Sequence, residues 1–481
     1  MGCRSGRIHR PDELVLGFSD DRGIVDPARL IPMDWTACSQ IYETLVVRGR
    51  LGQLQPGLAL RWERTDPETW QFYLRPGARF HDGSPCDAFA VAQSLARAAG
   101  LRTSGQPVEF AAIHPYREFV ELTTRTPFSP LPEYLAYLNF AITKAAKGAA
   151  PLGTGAFRFV SYQREREFVV ESAYRRVRFR CIPDSATRLL SLEAGEIDAM
   201  RAVPPAELVR PQTAVRFLPG PGRHTHYLGF NRSAGVWREE FADIRVRRAF
   251  DLALDRQALV QGPLHGTAIP ASSPVPPWRP FRRDAAQASY DPAAALHLFA
   301  EAGWHRDPAS GWLKKNGKIC RVNYVFAPAW LPQNTLMAEW IQASLHRVGV
   351  AVELHPLDWS AARAAERSGF AHLRHRGLTW AVGGTHFGLY TGFHSQLTGL
   401  ASIHHPNAAI DAGFDRWNHA ASAGEQESAA ASIQATIAHE VPFLPLYYER
   451  ETVAVHPRFL EPARFFAPHP DTYPQTLATT T

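Results

Sequence analysis

Five times along this chain a helix pattern runs into a glycine, and this punctuation restricts the fold more than any other feature. The patterns are 88–99 before Gly100, 184–193 before Gly195, 293–302 before Gly303, 336–348 before Gly349 and 361–368 before Gly369. Asp87, Asp184 and the Asp291-Pro292 pair stand where N-caps belong, and glycine past the last apolar position is the usual stop. Strand patterns Ile197–Met200 and Val350–Leu354 follow two of the stops closely. Further strands are predicted at Glu13–Phe18, Trp70–Arg75, Phe119–Thr124, Ala156–Tyr162, Arg176–Arg180 and Phe443–Tyr448, and further helices at Trp35–Val47, from an Asp243 cap through Val260, and at Ala429–Ala438. Helices alternating with strands predict α/β lobes with substantially parallel sheets.

The 481 residues suffice for about three domains or two large lobes. The 53 aromatic residues (12 Trp, 14 Tyr, 27 Phe) need a large core, a ligand cleft, or both. The +6 charge is spread along the chain, and only five of the 52 basic residues are Lys. No basic stripe or recognition motif accompanies it, so no nucleic-acid partner is expected. In Arg176–Arg180 the arginines alternate with Val177 and Phe179, as on a half-buried strand with a solvated face. No apolar run approaches 18 residues, and no apolar segment precedes Gly2-Cys3, so neither a membrane span nor a signal peptide is visible. Five cysteines without C-x-x-C spacing predict no zinc site and at most one disulfide.

Catalytic patterns are missing: no G-x-S-x-G elbow, Walker loop, H-E-x-x-H or dinucleotide fingerprint occurs. Gly153-Thr-Gly155 is too short to cradle a phosphate and reads as a turn. No enzyme activity, catalytic residue or cofactor is expected. Of the 20 histidines, His386, His394, His404 and His405 crowd one stretch, but spacings of eight, ten and one do not share a helix face. They read as a polar loop in which one histidine closes over a ligand, and no protein metal site is expected.

Several motifs in order resemble one family. They are Pro11–Val15, Asp26-Pro27, Ile41–Val46, Leu58-Ala59 with Trp62, Trp70–Gly77, Phe80–Gly83, Val91–Ser94, Pro151–Gly155, Ile182–Arg188, Glu193–Asp198, Phe230-Asn231, Val246–Phe250, Ala253–Arg256 and Tyr290–Pro292 with Glu301–Trp304. Over residues 11–465 the chain resembles the extracytoplasmic solute-binding proteins of bacterial ABC importers, family 5, the peptide- and nickel-binding type. The resemblance implies an α/β two-lobe clamp of the periplasmic-binding-protein kind (type II, large cluster) with a subdomain inserted in the first lobe. Its implied parts are a disordered remnant at 1–10, lobe I at 11–235 with the insertion at about 50–145, lobe II at 236–445, and a return to lobe I at 446–481. It also implies a monomer in the periplasm or at the cell surface that delivers a peptide-like or related small solute to permease subunits and their ATPase. Whether Cys3 carries a lipid stays open.

Peptide binders of this family place an Asp shortly after a Trp. Here Trp380 is followed by Val382, Gly383 and Gly384. The nickel-binding branch has a His on a loop after Thr-Trp, and His394 falls fourteen residues after Trp380. That keeps a nickel chelate as the alternative ligand, although the arginines that grip the chelator have no match near Leu135–Lys144. A cytoplasmic ligand sensor of a regulator is the alternative of another class. The ligand contacts implied are Trp380 and Trp35, stacking from opposite lobes, with Phe18, Tyr42 and His394.

Overall fold

A computed structural model describes residues 13–19, 26–29, 38–49, 52–101, 108–145, 152–201, 203–209, 215–232, 235, 237–283, 290–328, 331, 333–380, 384–397, 403 and 405–457. Its backbone is organised by one eleven-stranded sheet. Across it run Ala351–Pro356, Arg321–Phe326, Leu373–Thr379, Arg216–Phe230, Phe443–Val455, Ala199–Met200, Glu13–Phe18, Arg176–Cys181, Glu167–Glu171 and Arg158–Gln163, with Ile269–Pro270 pairing beside Phe443–Val455.

The sheet is mixed, which corrects the expectation of largely parallel pairing. Glu13–Phe18 is parallel to both its neighbours, and Arg321–Phe326 is parallel to both of its own. The remaining pairs are antiparallel. The helix–glycine–strand units build the parallel pairs. Two antiparallel pairs are local, Glu167–Glu171 with Arg158–Gln163 and with Arg176–Cys181; the others involve the long strands Arg216–Phe230 and Phe443–Val455, whose mutual pairing spans over 200 residues of chain and leaves no local trace.

These two strands tie the halves of the molecule together. Arg216–Pro221 pairs with Arg450–Val455 beside the lobe I strands, and Thr225–Gly229 pairs with Phe443–Tyr448 beside the lobe II strands. Between the two ladders the register slips at 222–224. One apolar core lies under the lobe II ladder, around Phe250, Phe299, Tyr324 and Ile341. Another lies in lobe I, around Leu16, Ile41, Phe157 and Val177. A separate antiparallel sheet of Ala59–Asp66, Thr69–Leu74, Phe119–Thr124 and Phe110–Pro115 packs on helix Ala88–Gly100 through Phe72, Leu95, Val120 and Leu122. Each of these fully buried side chains contributes about 1.5–3 kcal/mol.

The predicted caps form. Asp87, Asp184 and Asp291 each accept a backbone N–H from the first turn. Gly195, Gly303, Gly349 and Gly369 take positive φ past their helices, where a Cβ would be strained. Gly100 is the last residue of its helix rather than a stop beyond it, strand Phe443–Val455 runs past Tyr448, and three helices differ. Of the predicted Trp35–Val47 helix, residues 35–37 lie outside the described residues, and the described part is helical only at Cys38–Ile41, because Val46–Arg48 pairs as a strand with Leu54–Pro56. The Asp243 helix breaks at Ala253, and Asp255 caps a second helix, Arg256–Gln261, by accepting from the Ala258 amide. The last helix is longer than predicted, Ala423–Glu440, with a Ser422 cap. The alternating arginines are surface ion-pair partners, Arg176 with Glu171 and Arg178 with Glu13 and Glu167. Among the described residues four cysteines are free thiols, and no helix is long and apolar enough to cross a membrane.

Candidate functional site

Among the described residues, polar groups gather at two junctions between the halves of the molecule. The first lies where the long strands cross. In His224-Thr225-His226 alternate side chains share a face of the strand, so both imidazoles point one way and Thr225 the other. Thr225 is fully buried; its hydroxyl donates to the Pro274 carbonyl at 2.8 Å and accepts from the Trp380 indole at 2.8 Å. His226 is also buried, stacked on Tyr447 at 4.4 Å, with Nδ1 3.2 Å from His375 Nε2. Burial, reinforced by the neighbouring His375 and His224, holds His226 well below the ordinary imidazole pKa, so it is neutral at pH 7.

From the facing strand, Glu449 sets a carboxylate oxygen 2.9 Å from His224 Nδ1 and accepts the Arg223 amide at 3.1 Å. Burial works to raise the Glu449 pKa, but His224 and the Arg223 amide leave it below the usual value. Glu451 takes a two-pronged contact from Arg201 at 2.7 and 2.6 Å, with Arg223 Nε at 3.4 Å. Against the opposing effect of burial, the two guanidinium groups pull Glu451 down to about 2. His224 and Glu449 remain about a quarter exposed, at 23% and 28%. His224, His226 and Glu449 each bring one ligating atom to within 4.8 Å of the other two.

The second junction is a seam. Helix Thr385–Phe393 lies against Leu131–Tyr134. Tyr134 OH donates to His386 Nδ1 at 2.9 Å, and His386 Nε2 donates to Asn418 Oδ1 at 3.0 Å. Burial pushes His386 down to about 3. Phe387 packs on Tyr134 and Tyr137 at 5.7 and 5.1 Å and joins the subdomain core. A Cβ on Gly384 would stand 1.9 Å from the Glu133 carboxyl group. The carboxyl group thus fills the space of a side chain at 384, at the helix N-terminus, and burial raises its pKa against the pull of Arg48 and the Phe387 and Gly384 amides. Arg48 Nη2 donates to the Glu133 carbonyl at 3.2 Å and lies 3.7 Å from its carboxylate.

The expected contacts are not gathered in one place. Trp380 is fully buried, and its amide donates to the Arg223 carbonyl at 2.6 Å. A Cβ on Gly388 would stand 2.4 Å from its ring. Neither ring face is open to a solute, so the expected stack gives way to a supporting position beneath the crossing strands. Tyr42 is 2% exposed in the lobe I core, where burial, with Cys38 and Asp26, raises its pKa against the pull of Arg97. Phe18, half-buried at a strand end, packs edge-on against Phe179 at 5.5 Å. His394 ends helix Thr385–Phe393, stacked on Tyr390 at 4.3 Å, with Nε2 4.0 Å from Asp411. Trp35 and His404 lie outside the described residues. His386 and His394 belong to a helix and its cap, which corrects the polar-loop reading. Sequence reasoning passed over His224, His226, Glu449 and Glu133. The His-x-His alternation is the one local signal that marks such a group.

Residues 53–398 match the model of the bacterial extracellular solute-binding proteins, family 5. The nickel-binding periplasmic protein of Escherichia coli strain K12 is 28% identical over 421 residues, covering 79% of this chain and 78% of that one. A probable D,D-dipeptide-binding periplasmic protein of the same strain is 28% identical over 388 residues, covering 72% and 70%. Among solved structures, NikA of Brucella suis in complex with Fe(III)-EDTA superposes with a TM-score of 0.82 at 23% identity, over 92% of this chain and 95% of that one. A Helicobacter pylori periplasmic binding protein in complex with the peptide STSA gives 0.73 at 21%, over 92% and 94%.

Proposed function

The chain belongs to the bacterial extracellular solute-binding proteins of family 5, and we propose that it captures its solute in the cleft walled by the seam and floored by the crossing strands. It is the solute-binding protein of an ABC importer, taking a peptide-like or related small solute between two lobes. The family is one of binding proteins. Binding transmits free energy by favouring one conformation, and a solute shifts the clamp only by its differential affinity for the closed form.

The observation that carries this reading is the pair of strands that continue through both lobes and slip register between them. A slip frees a few residues to absorb the φ/ψ change of a hinge. Closure brings Leu131–Tyr134 against Thr385–Phe393, while the ladders on either side of the slip persist. For the solute contacts we keep Phe18 and His394, which retain exposed edges, and Trp35 as their aromatic partner. Tyr42 and Trp380 support them from behind. Lobe I then comprises 11–235, with its insertion at about 50–145, and 446–481; lobe II comprises 236–445. The protein acts as an extracytoplasmic monomer that hands its solute to permease subunits and their ATPase.

A nickel chelate is the second reading, favoured by His394 at the seam and by the histidines at the hinge floor. A thermal-shift screen of peptides, opines and nickel–histidine complexes decides between them. A ligand at 100 times its Kd adds about 2.7 kcal/mol of stability. A rise with peptides alone supports the first reading and a rise with nickel–histidine alone the second. No shift with any class removes both.

A further inference from the structure

We propose that the hinge itself holds a divalent transition-metal ion, bound by the imidazoles of His224 and His226 and the carboxylate of Glu449. This site uses protein donors alone and does not depend on whether the captured solute is a metal chelate.

The donors come from both crossing strands, two from Arg216–Phe230 and one from Phe443–Val455. They meet at the register slip, where the backbone ladder is interrupted. Each brings one ligating atom to within 4.8 Å of the others, so small side-chain rotations give three bonds of about 2.0–2.2 Å to one ion. Two imidazoles and one carboxylate suit zinc, nickel, cobalt or copper and suit calcium or magnesium poorly.

The surroundings hold these donors in place. The Arg223 amide fixes the Glu449 carboxylate at 3.1 Å. His375 lies 3.2 Å from His226 Nδ1, and Tyr447 stacks on the same ring. Contacts of this kind orient metal-binding imidazoles and tune their basicity. Arg223, next to His224 in the chain, and Arg201 are paired with Glu451, which shields an incoming cation from them. His224 and Glu449 are about a quarter exposed, so the ion has a route in. A fourth position stays open for water or for a donor atom of the solute. An ion here would staple the two strands where their own hydrogen bonds lapse, and so set the stiffness of the hinge.

The test uses the full chain stripped of metal by a chelator and desalted. Cobalt(II) is titrated while the visible d–d bands are followed, and zinc is then added to displace it. One equivalent of cobalt with tetrahedral-type absorption is expected. His224→Gln and Glu449→Gln should each weaken uptake by more than the about 10- to 100-fold that loss of an outer contact costs. His297→Ala, an exposed histidine on helix Pro292–Glu301, should leave uptake unchanged. Zinc should raise the melting temperature of the parent protein and not that of either hinge variant. Circular dichroism of the metal-free variants confirms that they are folded, and the isosteric Glu449→Gln serves if His224→Gln does not fold. The proposal is overturned if the parent protein takes up no cobalt at sub-millimolar concentration, or if a folded Glu449→Gln protein binds it as the parent does.

Discussion

At the hinge, charged groups from two strands meet in a pocket still open to water; at the seam, aromatic rings close over a tyrosine–histidine–asparagine chain from which water is excluded. The hinge pairs the Glu451 charge with Arg201 and sets His224 beside the Glu449 carboxylate. The seam uses a neutral His386 and one carboxylate, Glu133, set against a helix N-terminus. Polar groups in a dry contact are costly to leave unpaired, whereas a partly exposed ion pair contributes little on its own. Of the polar contacts, those of the seam should therefore weigh more on stability and closure, and those of the hinge on which cations and solutes are held.

The largest expected effect is at Trp380, which braces the hinge from below through Thr225 and the Arg223 carbonyl. Trp380→Ala should lower stability by about 3–5 kcal/mol, seen as a lower denaturant midpoint at unchanged slope. A loss below about 1 kcal/mol would mean that its ring is not enclosed.

Next is the seam. Tyr134→Phe leaves His386 Nδ1 without its donor and should cost about 1–3 kcal/mol. An unchanged melting temperature would show that water reaches this contact and would erase the contrast with the hinge.

Acid separates the regions further. His386 has a folded pKa of about 3 against about 6.5 unfolded, so below pH 6.5 the unfolded chain binds the proton that the folded one refuses. Stability should fall between about pH 6.5 and 3, by about 1 kcal/mol per pH unit from this residue. In His386→Gln the slope should be shallower by that amount. An identical slope would place the acid sensitivity elsewhere, for instance at His226 or His375, which burial also holds low.

The smallest effect is at the hinge. Without metal, Glu449→Gln should change stability by less than about 1 kcal/mol, because both partners are partly solvated. A larger loss, read by the same denaturant titration, would make the hinge a stability element like the seam.

What the chain disclosed in advance follows the same division. Caps such as Asp87 and Asp184 and the stop at Gly195 act within a few residues, so they were legible. The break at Ala253 is not legible because an apolar stripe continues through it, and only a local hydrogen bond from the Ala258 amide to Asp255 marks the start of the second helix. The hinge depends on pairing between 216–230 and 443–455, where no short-range pattern reports which strand faces which. His386 looked like one of several loop histidines because its partners, Tyr134 and Asn418, are 252 and 32 residues away. Glu133 supplies an acid at Gly384 from another part of the chain, so a search for one after Trp380 could not find it.

The central claim is that the seam opens and closes while the hinge ladders persist. Amide hydrogen exchange, followed by mass spectrometry with and without the solute that shifts the melting temperature, tests it most directly. Solute is expected to slow exchange in Thr385–Phe393 and Leu131–Tyr134 and to leave Thr225–Gly229 and Phe443–Tyr448 unchanged. Protection that appears in the hinge ladders and not at the seam would contradict it.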